Sequence, residues 1–225
     1  MKPIVTLAAG LAASVFIAGC AATDVVAKKA VESFETVAAA SAARISFADG
    51  AWTLASAGGD EVRLSVDYTR PGAGDVEFSF DAAPFAAAGL DIAKLPAAGD
   101  VAYAEKDGRL VLRFELGSEA LSMDAVKSMD KALAELVKAK RERVGYHAAL
   151  DHYGIKVGGG HMFEWANDIG KNDKDIVWVL NPEPFIAAGL DPAKVEGWVF
   201  AKVETMNDEG KKAQVDRLLK PFDLE

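Results

Sequence analysis

The chain has 225 residues, 25 Lys and Arg against 34 Asp and Glu for a formal net charge of −9, an apolar content of 51%, and a single cysteine. That length suits one large domain or two small ones, and the apolar content is that of a folded chain, not of a disordered stalk. The acidic balance excludes attraction to nucleic acid by net charge, and the lone cysteine excludes an intramolecular disulfide and any cysteine-based metal cluster.

Met1-Lys2 supplies a short positive start, and Ile4 to Ile17 an apolar run broken only by Thr6, Gly10 and Ser14. A bilayer-spanning helix needs about 20 apolar residues, so this shorter run ending in small residues predicts an export signal over residues 1–19. Its end, Ile17-Ala18-Gly19-Cys20, resembles the lipobox of bacterial prolipoproteins. The resemblance implies that Cys20 is diacylglycerated and becomes the first residue of the mature chain, with a further acyl chain on its amino group in many bacteria. One acyl chain binds a membrane only reversibly, at about 0.8 kcal/mol per buried methylene, whereas two or three anchor for good. Ala21 stands where enteric-type sorting uses aspartate to retain a lipoprotein in the inner membrane, so the resemblance implies the periplasmic side of the outer membrane. Loss of Lys2 leaves 24 basic against 34 acidic residues, a mature balance of −10. The expected partners are the membrane, through acylated Cys20, and an envelope protein, glycan or lipid. Nucleic acid is not among them, and no cofactor is called for.

The mature chain contains an internal repeat. Aligning residues 75–94 with residues 175–194 at a constant offset of 100 gives ten identities in twenty positions, among them Pro84 and Pro184, Phe85 and Phe185, Gly89 and Gly189, and Asp91 and Asp191. The same offset sets Gly58-Gly59 on Gly158-Gly159 and the helical stretch 28–43 on 128–143. The chain therefore reads as a lipidated tether at 20–26 followed by two units, 27–121 and 122–225.

Each unit reads as a helix, then strands, a helical punctuation and a hairpin. In the second unit Val126, Met129, Leu133, Leu136, Val137 and Val144 fall on one face of a helix expected from Asp124 to about Leu150. In the first, Val62, Leu64, Val66 and Tyr68 alternate with polar residues as in a half-buried strand, and Leu110, Leu112, Phe114 and Leu116 alternate after the turn Lys106-Asp107-Gly108. Asn207–Gly210 is the corresponding turn of the second unit. The repeated Pro-Phe-x-Ala-Ala-Gly-Leu-Asp segment has a local explanation. Proline suits the first turn of a helix, glycine the left-handed residue that ends it, and aspartate the cap of a following turn, while Phe85, Phe185, Leu90 and Leu190 bury. The fold class is α+β: two homologous units, each a long helix on an antiparallel sheet of four to six strands.

The candidate sites are few. His147, His152 and His161 fall within fifteen residues, near Tyr146, Asp151, Tyr153 and Glu164, and imidazole with carboxylate can hold a metal. Five residues apart, however, His147 and His152 would point about 140° from each other if both were on one helix, which argues against a shared ion. Val157-Gly158-Gly159-Gly160 lacks the Lys-Ser or Lys-Thr of a phosphate loop and reads as a bulge or turn. Lys138, Lys140, Arg141 and Arg143 form a basic cluster that could meet lipid head groups or an anionic polymer of the envelope, with a solvated helix face, Glu135 and Glu142 beside it, as the simpler reading. Of Trp52, Trp165, Trp178 and Trp198, which could stack on sugars, Trp178 replaces Phe78 of the repeat and reads as core. No Gly-x-Ser-x-Gly elbow occurs, and the first unit has no histidine. The leading expectation is a non-enzymatic, membrane-anchored envelope lipoprotein with a binding or structural role; the alternative is a metal- or haem-handling lipoprotein using the histidine cluster.

Overall fold

The computed structural model describes residues 20–66, 75–97, 99–116, 127–148, 150–170, 174–206 and 212–224. The expected export signal, Asp67 and Tyr68 of the first strand, the start of the second long helix and the turn at 207–210 lie outside these residues.

The first half runs α1 (Cys20–Ala40), a 3-10 turn, β1 (Ile45–Ala48), β2 (Ala51–Ala55), β3 (Glu61–Ser65), β4 (Val76–Asp81), α2 (Ala83–Ala87), a second 3-10 turn, β5 (Val101–Lys106) and β6 (Arg109–Phe114). The second half repeats that order with α3 (Met129–Ala139), β7 (Val144–His147), β8 (His152–Gly158), β9 (His161–Ala166), β10 (Ile176–Leu180), α4 (Glu183–Ala187), β11 (Val199–Met206) and β12 (Lys212–Phe222). Each half forms its own six-stranded antiparallel sheet, in the orders β1-β2-β3-β4-β6-β5 and β7-β8-β9-β10-β12-β11. The last strand of each half returns beside the fourth, and a buried aspartate fixes that return. Leu116 N–H donates to Asp75 Oδ2 at 2.6 Å, and Leu224 N–H to Asp175 Oδ2 at 2.7 Å.

The two Pro-Phe segments meet. Each proline sits in the first turn of its short helix, and Gly89 and Gly189 take φ of 96° and 101°, the left-handed ending that their lack of a Cβ permits. Asp91 N–H then donates to Ala188 O at 3.0 Å and Asp191 N–H to Ala88 O at 2.9 Å, a reciprocal pair of backbone bonds between the halves. Phe85 and Phe185, both fully buried, lie 6.0 Å apart beneath them. The Asp191 side chain caps its turn by accepting from Ala193 N–H, while Asp91 makes no such bond. Trp178 is fully buried, as its alignment with Phe78 predicts, and Trp165 is fully buried too.

Two expectations about the helices are corrected. The second long helix does not run to Leu150: it ends at Ala139, and a 3-10 turn at Arg141–Arg143 leads straight into β7. Val144 lies seven residues after Val137 and so mimics the helical period, but a β-branched residue followed by Gly145 favours the strand, and Val144 is buried from β7. The helices are also crossed between the halves. Phe34 of α1 packs edge-on against Phe163 and Trp165 of the second sheet, and the Trp165 indole N–H is shared between Ala30 O at 3.1 Å and Ser33 Oγ at 2.9 Å. α3 in turn contacts β2 and β3 of the first sheet, and the two helices contact each other. A single apolar core therefore runs through both halves, with Phe78 of the first meeting Phe163 of the second and Phe80 meeting Trp178.

Candidate functional site

The helix expected to run to about Leu150 would carry His147; His147 and His152 stand instead on neighbouring strands, directly opposite each other in the β7–β8 pair. Successive residues of a strand face opposite ways. Tyr153, Phe163 and Trp165 point to the core shared with α1, so His152 and Glu164 occupy the other face of the second sheet. Gly154 lies opposite Glu164, and a Cβ there would come 2.9 Å from Glu164 Cγ. The missing side chain at Gly154 leaves room for Glu164, whose carboxylate lies between the two rings.

The cluster is sealed: His147, His152 and Glu164 are 5, 2 and 4% exposed. Glu164 Oε2 lies 3.4 Å from His147 Nδ1 and 3.8 Å from His152 Nδ1. His152 Nε2 faces Lys174 O at 2.9 Å, an atom that only accepts, so Nε2 carries the hydrogen. His152 Nδ1, buried and without a hydrogen-bond partner, is turned towards the carboxylate. Burial pushes the Glu164 carboxyl up, but the neighbouring His147 and His152 side chains outweigh it and hold the group below the ordinary carboxylate range. The arrangement keeps one buried negative charge between two imidazoles. Among the described residues no group of three or more His, Cys, Asp or Glu side chains is placed to hold a metal ion.

His161, grouped with the other two by sequence, lies elsewhere, on the core face of β9. Asn181 N–H donates to its Nδ1 at 3.3 Å, so Nε2 carries the hydrogen and donates to Tyr103 Oη, 2.9 Å away in the other half. Burial, with a smaller contribution from Arg217, pushes this imidazole down to about 3, and burial pushes the Tyr103 phenol up to about 12. The pair is a neutral pin between the sheets, ringed by Phe114 and Phe185. Asp60 has the matching role in the first half. It accepts from Asp81 N–H at 3.4 Å and reaches across to Lys220 Nζ, also at 3.4 Å, which lies over the Trp198 ring. Tyr103, Asp60 and Lys220 were not singled out from sequence, because their pairing depends on how the two sheets face one another.

The remaining candidates are placed as follows. The glycine run forms a β-bulge and turn between β8 and β9, where a Cβ on Gly159 would come 2.7 Å from Val101 of the first half. Trp52 and Trp198 are partly buried against the core, and Trp52 packs against the half-exposed Phe47 at 4.9 Å. An open polar hollow of about 310 Å³ lies beside α1, lined by Lys29, Glu32, Ser33, Thr36, Tyr153 and Asn167. Among the described residues no helix is long and apolar enough to cross a membrane. Compared with protein-family models, with curated proteins and with solved structures, the chain matches none.

Proposed function

We propose that the chain is an envelope lipoprotein, held on the periplasmic side of the outer membrane by an acylated Cys20, in which two copies of one unit have a non-enzymatic binding or structural role. The observation that carries this reading is the sequence Ile17-Ala18-Gly19-Cys20, whose cysteine opens the helix that packs on the domain. α1 begins at Cys20 and is already buried at Ala27, so about 10 Å of helix joins the acylated end to the fold. The expected tether at 20–26 is thus the first two turns of α1.

The duplication is supported by the ten shared positions at one offset, by the common strand order, and by the matching roles of Asp75 and Asp175. The non-enzymatic role is supported by the commitment of each imidazole to a structural partner: His161 to Tyr103 and Asn181, His152 to Lys174, His147 to Glu164. Growth of a diderm host on labelled palmitate tests the reading. The wild-type chain incorporates label and fractionates with membranes, and Cys20→Ser, which cannot form the thioether, does neither. Equal labelling of the two chains would overturn it.

A further inference from the structure

The helices α1 and α3 run antiparallel. Lys131 near the start of α3 pairs with Glu35 at 3.0 Å, and Arg141 just past its end reaches Asp24 at 3.6 Å. This crossing carries Lys138, Lys140, Arg141 and Arg143 to the end of the molecule where Cys20 begins α1. Asp24 lies one helical turn from Cys20, about 6 Å along the axis. Lys28 and Lys29 add two cations from the next turn of α1. Lys138, Arg141 and Lys28 are well exposed, with 78, 64 and 78% of their side-chain surface open to solvent.

Against these six basic side chains stand Asp24, Glu32, Glu135 and Glu142, a local balance of +2. The mature chain carries −10 in total, so everything beyond this end carries −12. A uniform protein of that charge would be repelled by an anionic surface. At physiological ionic strength, however, charges are felt over only about 8 Å, so a surface in contact with this end senses its cations and little of the distant acidic excess. Basic residues close to a bilayer are attracted by acidic lipids over the same short range.

We propose that this basic end rests on the anionic phospholipid head groups of the membrane that holds the Cys20 acyl chains, fixing how the domain sits on the bilayer. The proposal rests on the lipoprotein reading for its location, and its test is independent of acylation. Residues 20–225, which hold every described element, are purified with Cys20→Ser and sedimented with two kinds of vesicle. One is phosphatidylcholine alone; the other is equal parts phosphatidylcholine and phosphatidylglycerol. The protein should partition onto the second kind only and should come off as salt is raised. The triple charge reversal Lys138→Glu, Lys140→Glu, Arg141→Glu should lower that partitioning about tenfold or more. The double reversal Lys28→Glu, Lys29→Glu on the other helix should also lower it, which guards against a triple variant that fails to fold. Equal partitioning onto both vesicles, indifference to both sets of reversals, or binding to soluble polyphosphate without binding to vesicles would overturn the proposal. Palmitate labelling of the wild type would stand in any of these cases, so the two readings fail separately.

Discussion

Gly89 and Gly189 face each other across the junction of the two halves: a Cβ on either would stand 3.0 Å from the carbonyl oxygen of the other. Both also have positive φ, so two separate constraints exclude a side chain there. Gly189→Ala should cost about 2–4 kcal/mol, combining a left-handed backbone of about 1–2 kcal/mol with crowding of a backbone that cannot swing aside. Gly50 has φ of 70° but open space around it, so Gly50→Ala should cost the backbone part alone, about 1–2 kcal/mol. Urea midpoints of the two variants check the difference, and equal losses would mean the junction is not close-packed.

Phe85 and Phe185 are fully buried on either side of that junction, within 6.0 Å of each other and next to Trp198 and Tyr103 respectively. Truncation of either to alanine should cost about 3–5 kcal/mol. Because one core spans both halves, each variant should unfold the whole chain in one transition. Two transitions in chemical denaturation, with only one of them moved, would show that the halves are independent.

His161 makes stability depend on pH. In the folded chain this imidazole gains a proton only near pH 3, whereas in the unfolded chain it does so near 6.5. Between those values the unfolded state holds the extra proton, so stability falls as pH falls, by about 1.4 kcal/mol per pH unit below 6.5. His161→Gln removes the titrating group and should flatten this part of the profile. The depressed Glu164 carboxyl contributes in the same direction at lower pH: its stabilisation is present above the ordinary carboxylate range and is lost as pH falls through its folded value. An unchanged slope in His161→Gln between pH 6.5 and 4.5 would refute the assignment.

The His147–Glu164–His152 cluster should not retain metal. Both rings aim at one carboxylate oxygen, and His161 is held away by Tyr103. Protein dialysed against zinc or copper and then against buffer should hold less than one equivalent by elemental analysis. A full equivalent, lost in His152→Ala, would instead establish a metal centre.

What could be read from the sequence was what recurs at a fixed offset or a fixed period. Pro84, Phe85, Gly89 and their counterparts gave the repeat, and Leu110, Leu112 and Phe114 gave the strand, because local capping and alternation leave direct marks on sequence. Val144 misled because seven residues are two helical turns as well as a strand position, and with it His147 was carried onto a helix that ends eight residues earlier. The exchange of α1 and α3 between sheets was not legible, since an apolar helix face does not name the sheet that covers it. The Glu164 cluster and the Asp60–Lys220 and His161–Tyr103 pairs depend on cross-strand register and on the facing of two sheets. The one mark that pointed to the first was Gly154 between two large residues, a gap in a strand into which a neighbouring side chain can lie.

Acylation of Cys20 as the first residue of the mature chain is read out by mass spectrometry of the N-terminal peptide from protein extracted out of host membranes. The expected peptide begins at Cys20 and carries the mass of a diacylglycerol, with or without a further acyl chain. A mature peptide starting at any other residue, or an unmodified Cys20, would contradict it.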